Sequence, residues 1–277
     1  MSELFNSPLV FTDLDGTLLD HDSYSFESAL PAIELLKSNN IPIIINSSKT
    51  FVEIVDIRSE LNIKDPFIVE NGAAIFFELD YFDVIPEGVI KYQGFYVFEL
   101  SKPISYWENV FSKIELEIDT SIERFSNMDV QRVCDLTGLN ESDAIKAKNR
   151  LYSDPIYFEE QGSELDFLVS YMKNMGHKVL VGGRFVHITN GYDKGLAMSK
   201  VVEMFEKNKG ESFSTIALGD SNNDIAMLEK SDISIIICNK NKKVLEINKE
   251  RNTYCSSLYG PDGWNEMLSP IINNKFI

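Results

Sequence analysis

Apolar residues follow two alternating patterns along the first third of the chain. Short continuous runs at 9–12, 41–45 and 67–69 alternate with segments whose apolar positions fall three or four residues apart: Leu30, Ile33 and Leu36, then Val52, Ile54, Val55 and Leu61. The runs predict strands covered on both faces, and the spaced segments predict amphipathic helices, the first over 28–38 and ended by Asn39-Asn40. A βαβαβ succession of this kind predicts a parallel, doubly wound sheet, hence an α/β fold.

The pattern changes after about residue 80. Strand-like residues 94–100 are followed by helical spacing over 104–114, 143–151 and 163–175, the last with Gly176 placed as its C-cap. Runs at 178–181 and 184–188 flank Gly182-Gly183, the pattern of a β-hairpin. Helices mixed with hairpins predict an α+β unit. The first pattern returns after residue 189, with helices expected over 194–207, 225–230 and 242–248 and strands over 213–218 and 234–237. The expectation is therefore one domain over 1–82 and 189–277, interrupted by an inserted domain over 83–188.

Composition narrows the function. The net charge is −17 over 277 residues. That disfavours nucleic acid and anionic membranes as partners, and an anionic substrate would need a locally positive site. Cys134, Cys238 and Cys255 are far apart and form no C-x-x-C pair, which points to reduced thiols and a cytoplasmic protein. No signal peptide is visible at the N-terminus, and no run approaches the roughly 18 apolar residues of a membrane span. Monomer and dimer are both open.

Chemistry-bearing residues gather where the predicted strands end. Asp13 and Asp15 close the first strand and are followed by Gly16-Thr17. Ser47-Ser48-Lys49 follows the second. Lys194 opens a helix, and Gly219-Asp220-Ser-Asn-Asn-Asp224 follows the strand at 213–218. In open α/β sheets, ligands bind at the carboxyl ends of the strands. Taken singly, each has a plainer reading. Ser47 or Ser48 suits a helix N-cap, Lys194 a solvated lysine, and 219–224 an acidic or calcium-like loop.

Together, in this order and spacing, the four segments resemble the motifs of the haloacid dehalogenase superfamily. The resemblance implies a phosphatase. Asp13 would be the nucleophile that forms an aspartyl-phosphate. Asp15 would protonate the leaving alkoxide and then activate water. Ser47 and Lys194 would hold the phosphoryl oxygens. The implied cofactor is Mg²⁺, bound by Asp13, Asp15 through its backbone carbonyl and Asp220, with Asp224 as a further metal ligand or as the support of Lys194. The insertion between the second and third motifs, with Glu70-Asn71-Gly72, resembles the type C2B caps shared with Cof-like sugar phosphatases.

Three further segments resemble the mannosyl-3-phosphoglycerate phosphatase branch: Ser47-Ser-Lys-Thr50 where Thr-Gly-Arg is usual, Gly182-Gly-Arg-Phe-Val-His-Ile188, and Gly260-Pro-Asp-Gly-Trp-Asn265. This implies a small phosphorylated sugar or glycosyl-phosphoglycerate as substrate. Ser48, Lys49, Gly182, Gly183, Arg184 and His187 would contact it, with Arg184 as the cation for its carboxylate. His187 also suits a core position, and 260–265 suits either a loop rimming the site or a helix start. Glucosyl and sucrose-phosphate relatives, or a phosphomannomutase, are the alternative activities.

Overall fold

The structure is a computed structural model, and it describes residues 7–118, 122–158, 162–181, 185–239, 245–249 and 252–272. A nine-stranded sheet forms its backbone, in the order β12-β11-β10-β1-β2-β3-β4-β6-β5. Six neighbouring strands run parallel: β12 (Thr253–Tyr259), β11 (Ile233–Cys238), β10 (Ser214–Gly219), β1 (Pro8–Thr12), β2 (Ile43–Asn46) and β3 (Phe67–Val69). Beyond β3 the sheet turns antiparallel through β4 (Ala74–Glu78), β6 (Phe95–Glu99) and β5 (Ile90–Tyr92).

Side chains of the strands alternate between two cores, as the pleat requires. Val10, Ile43, Ile45 and Leu218 face one side, with α1 (Leu30–Ser38), α2 (Phe51–Glu60) and α9 (Gly260–Ile272). Leu9, Phe11, Ile44 and Ala217 face the other, with α7 (Lys194–Lys209) and α8 (Ile225–Lys230). Helices thus cover both faces, and the central strands β1, β2 and β3 are buried almost throughout and nearly all apolar because neither face meets water.

The insertion is a second, two-layer unit. Its sheet is antiparallel, β7 (Ile156–Tyr157), β9 (Phe185–Thr189) and β8 (Lys178–Val181), in the order β7-β9-β8. The helices α3 (Ile104–Ile118) and α6 (Ser163–Asn174) pack against it through Trp107, Phe111, Leu168 and Met172. A smaller helical pair, α4 (Val130–Thr137) and α5 (Glu141–Lys148), encloses Phe125, Val133, Leu136 and Ala144. The α4 helix carries readable signals: Asp129 caps its first turn through Arg132 N at 2.7 Å, and Gly138 ends it in the left-handed region at φ 81°.

Three expectations change, and one pair of alternatives is decided. The strand expected over 94–100 is β6, which pairs onto the large sheet with β4 and β5 rather than onto the inserted one, so residues just past 82 extend the first unit. The reason is antiparallel pairing, which needs no crossover helix: β6 pairs with β4, and the hairpin of β5 and β6 leaves β5 at the edge. The helix expected over 143–151 starts earlier, at Glu141 behind the Asn140 cap, and ends at Lys148, which frees Arg150. The helix expected over 242–248 falls partly outside the described residues, and 245–249 carries no regular structure. Of the two readings of residues 260–265, rim loop or helix start, the second holds, since they open helix α9. There Trp264 is buried and donates to Thr12 Oγ1 at 3.0 Å. No helix among the described residues is long and apolar enough to cross a membrane.

Candidate active site

Strand β1 lies inside the sheet, between β10 and β2, and its carboxyl end delivers Asp13 and Asp15. The neighbouring strands end level with it. Ser47 leaves β2, Glu70-Asn71-Gly72 leaves β3, and Asp220 leaves β10. Lys194 enters from the first turn of α7, whose N-cap is Asp193.

Lys194 is fully buried, and its Nζ lies 2.6 Å from Asp13 Oδ1 and 2.6 Å from Asp224 Oδ1. Burial alone would lower its pKa. The two carboxylates outweigh burial and raise it, so the ammonium stays charged. The plain reading of a solvated lysine is therefore excluded. Burial pushes Asp13 up to about 7 against the pull of Lys194, and Asp224 and Asp15 add to the rise. Asp220 rises to about 8, chiefly by burial and then through Asp13 and Asp224.

Asp224 is spoken for on both oxygens. Oδ1 holds Lys194, while Oδ2 accepts the amides of Asp220 at 3.1 Å and Ser221 at 3.0 Å. Of the two roles expected for it, metal ligand or support of Lys194, its geometry suits the second, together with organising the loop. Even so, single carboxylate oxygens of Asp13, Asp220 and Asp224 lie within 4.8 Å of one another. Three carboxylates with one ammonium leave the cluster short of positive charge, and hard oxygen donors of this kind fit a divalent cation such as Mg²⁺. Thr17 Oγ1 donates to Asp220 Oδ1 at 3.3 Å and keeps it turned inward.

Ser47 is fully buried, and its Oγ accepts from Lys49 N at 3.3 Å. It does not cap α2. That position belongs to Thr50, in a capping box with Glu53. Lys49 reaches across to Asp15, with Nζ 3.0 Å from Oδ1, and lies 3.7 Å from Glu53 Oε1.

The loop after β3 ties the site together. Glu70, Asn71 and Gly72 take positive φ in succession, at 50°, 63° and 97°. Asn71 Oδ1 accepts from Asn223 Nδ2 at 2.9 Å, and Asn71 N donates to Ser47 O at 2.9 Å. A Cβ on Gly72 would stand 2.3 Å from Asp193 O, so only glycine lets α7 start here. Glu70 is buried and accepts from Leu151 N at 2.8 Å and Ser153 Oγ at 2.6 Å, which fastens the insertion to the sheet.

A cavity of about 210 Å³ opens beside Asp15, walled by Ser48, Lys49 and Tyr24 on one side and by Arg150, Phe185 and His187 of the insertion on the other. Burial, then the Arg150 charge, pushes His187 down to about 4, so its imidazole is neutral at neutral pH. Gly182, Gly183 and Arg184 lie outside the described residues. Arg150 and Glu70 were not singled out as site residues by sequence. Neither sits in a motif that chemistry alone explains, and each gains its partner across a long stretch of chain.

Comparison with known proteins bears on the family of the chain. The profile of the haloacid dehalogenase-like hydrolases matches residues 10–254. A glucosyl-3-phosphoglycerate/mannosyl-3-phosphoglycerate phosphatase of Persephonella marina is 38% identical over 96% of this chain and 97% of its own. A protein of the same description from Methanococcoides burtonii is 34% identical, over 96% and 98%. A haloacid dehalogenase-like hydrolase from B. subtilis shares the fold with a TM-score of 0.65 at 16% identity, covering 97% of this chain and 99% of that one.

Proposed function

The chain belongs to the haloacid dehalogenase-like hydrolases and is a phosphatase; from that premise we propose that it releases phosphate from a glycosyl-3-phosphoglycerate, mannosyl-3-phosphoglycerate foremost. The observation that carries the reading is the cavity beside Asp15. Its wall carries two cations, Lys49 and Arg150, and it opens at Asp15, two residues along the chain from Asp13. A substrate with an anionic group beyond its phosphate suits such a wall better than a neutral sugar phosphate does. The relatives that align over nearly the whole chain carry names for such substrates.

In the proposed reaction Asp13 attacks phosphorus and the bond from phosphorus to the glycerate oxygen breaks. Lys194, held on Oδ1, orients the carboxylate for attack through its other oxygen and donates to the phosphoryl group. Asp15 gives its proton to the departing alkoxide, then takes one from the water that cleaves the aspartyl-phosphate. The Ser47 hydroxyl donates to a phosphoryl oxygen. Asp13, Asp220 and the Asp15 carbonyl would hold Mg²⁺, which supplies charge neutralisation around the phosphoryl oxygens.

A phosphate-release screen over phosphorylated sugars and glycosyl-phosphoglycerates tests the substrate assignment. Mannosyl- and glucosyl-3-phosphoglycerate are expected at the top in kcat/KM. A simple hexose phosphate turned over faster than both would overturn it. Phosphate found transferred to another position of the product, rather than released, would favour a mutase.

A further inference from the structure

The wall that the insertion contributes to the cavity is mostly apolar: Phe125, Leu139, Ala147, Pro155 and Phe185 face it. Phe125 and Phe185 meet edge to face, with centroids 5.0 Å apart. Among the described lining residues from the insertion, Arg150 alone carries a permanent charge, since His187 is neutral.

Arg150 is held by contacts on its inner edge. Nε donates to Ser153 Oγ at 3.0 Å, with Glu70 Oε2 at 3.5 Å behind it. Nη2 donates to Ser153 Oγ at 2.9 Å and to the Ser48 carbonyl, across the domain boundary, also at 2.9 Å. Among the described residues Nη1 has a single contact, Ala147 O at 3.5 Å, the outer limit of a hydrogen bond. A guanidinium clamped on two nitrogens thus keeps donor capacity on the third, within apolar surroundings that strengthen an ionic contact. The clamp explains why this is an arginine: a lysine could not bond Ser153 and Ser48 and still present a further donor in a fixed direction.

We propose that Arg150 binds the substrate's carboxylate and so determines the preference for a phosphoglycerate ester over other phosphate monoesters. The inference rests on the substrate reading above. Phosphate in the Asp13 cluster leaves the glycerate carboxylate to be met outside it, in the cavity that opens beside Asp15. Lys49 is engaged there by Asp15 and Glu53, whereas no carboxylate among the described residues engages the Arg150 Nη1. The Arg150 clamp also places this cation by a core carbonyl, so carboxylate binding and the seating of the insertion act on the same side chain.

The test compares kcat/KM for mannosyl-3-phosphoglycerate with that for its carboxamide, which keeps shape and removes charge. The parent enzyme is expected to prefer the carboxylate by about 10²-fold, the scale of losing one buried charged partner. Arg150→Met is expected to shrink that ratio to a few-fold, and Arg150→Lys to leave it between the two. Turnover of an aryl phosphate by each variant reports that the site is still assembled. A variant too unstable to assay is replaced by Arg150→Lys, for which a ratio unchanged from the parent overturns the proposal. An undiminished preference in Arg150→Met overturns it as well, as does loss of the preference in Arg184→Ala with retention in Arg150→Met. A parent enzyme that turns over aryl phosphate but neither glycerate ester overturns the substrate reading itself.

Discussion

Lys194 Nζ lies 2.6 Å from Asp13 Oδ1, and Lys194 is wholly buried. The pair needs the other's charge. Lys194→Met would leave Asp13 and Asp224 facing each other without their shared cation. Such a change is expected to cut kcat by about 10²-fold or more, as for loss of a donor to a developing charge. It should also destabilise the metal-free protein by about 3–5 kcal/mol, the cost of stranding a buried partner. Steady-state kinetics and urea unfolding in chelator read the two effects.

Asp220 gives a prediction of opposite sign for stability. Its pKa rises to about 8 by burial and by the neighbouring carboxylates, so its charge strains the metal-free site. Asp220→Asn is expected to melt at the same or a higher temperature than the parent in chelator. In millimolar Mg²⁺ the parent should gain thermal stability through binding and the variant should not. A calorimetric series in both buffers checks this, and activity in the variant should be lost.

Gly72 packs on Asp193 with φ 97°, and an added Cβ would be 2.3 Å from the Asp193 carbonyl oxygen. Gly72→Ala must shift the start of α7, and Lys194 with it. The expected cost is about 1–3 kcal/mol from the backbone alone, with a fall in kcat larger than the change in KM. Denaturant midpoints and initial rates measure both.

His187 contributes to the pH dependence of stability. Its pKa falls from 6.5 to about 4 through burial and the Arg150 charge. Between those values the unfolded chain takes up a proton that the folded protein refuses. The stability is therefore intact above 6.5 and declines as the pH drops toward 4. Replacing it by Gln, which does not titrate, should flatten the slope of unfolding free energy across that window. Urea titrations at stepped pH give the slope directly.

Much of this site was legible in the chain because its chemistry is local. Asp13, Asp15, Ser47, Lys194 and Asp220 each follow an apolar strand or open a helix, and strand ends of one parallel sheet must meet. The second role of Asp224, holding loop amides on Oδ2, was not legible, because a carboxylate in an acidic loop looks the same whether it binds metal or backbone. Glu70 and Arg150 were legible only in three dimensions. Glu70 finds Ser153 across 83 positions, and Arg150 finds the Ser48 carbonyl across 102. The strand expected over 94–100 misled for a related reason. A local run predicts a strand, but which sheet it joins is settled by its pairing with β4, some twenty residues earlier in the chain.

Asp13 as nucleophile is the claim on which the chemistry turns. The direct measurement is phosphate release from mannosyl-3-phosphoglycerate in saturating Mg²⁺ by the parent and by Asp13→Asn, with circular dichroism to confirm that both are folded. The account predicts a loss in kcat of about 10³-fold or more, as for removal of other catalytic nucleophiles. Turnover by a folded Asp13→Asn within about tenfold of the parent would contradict it.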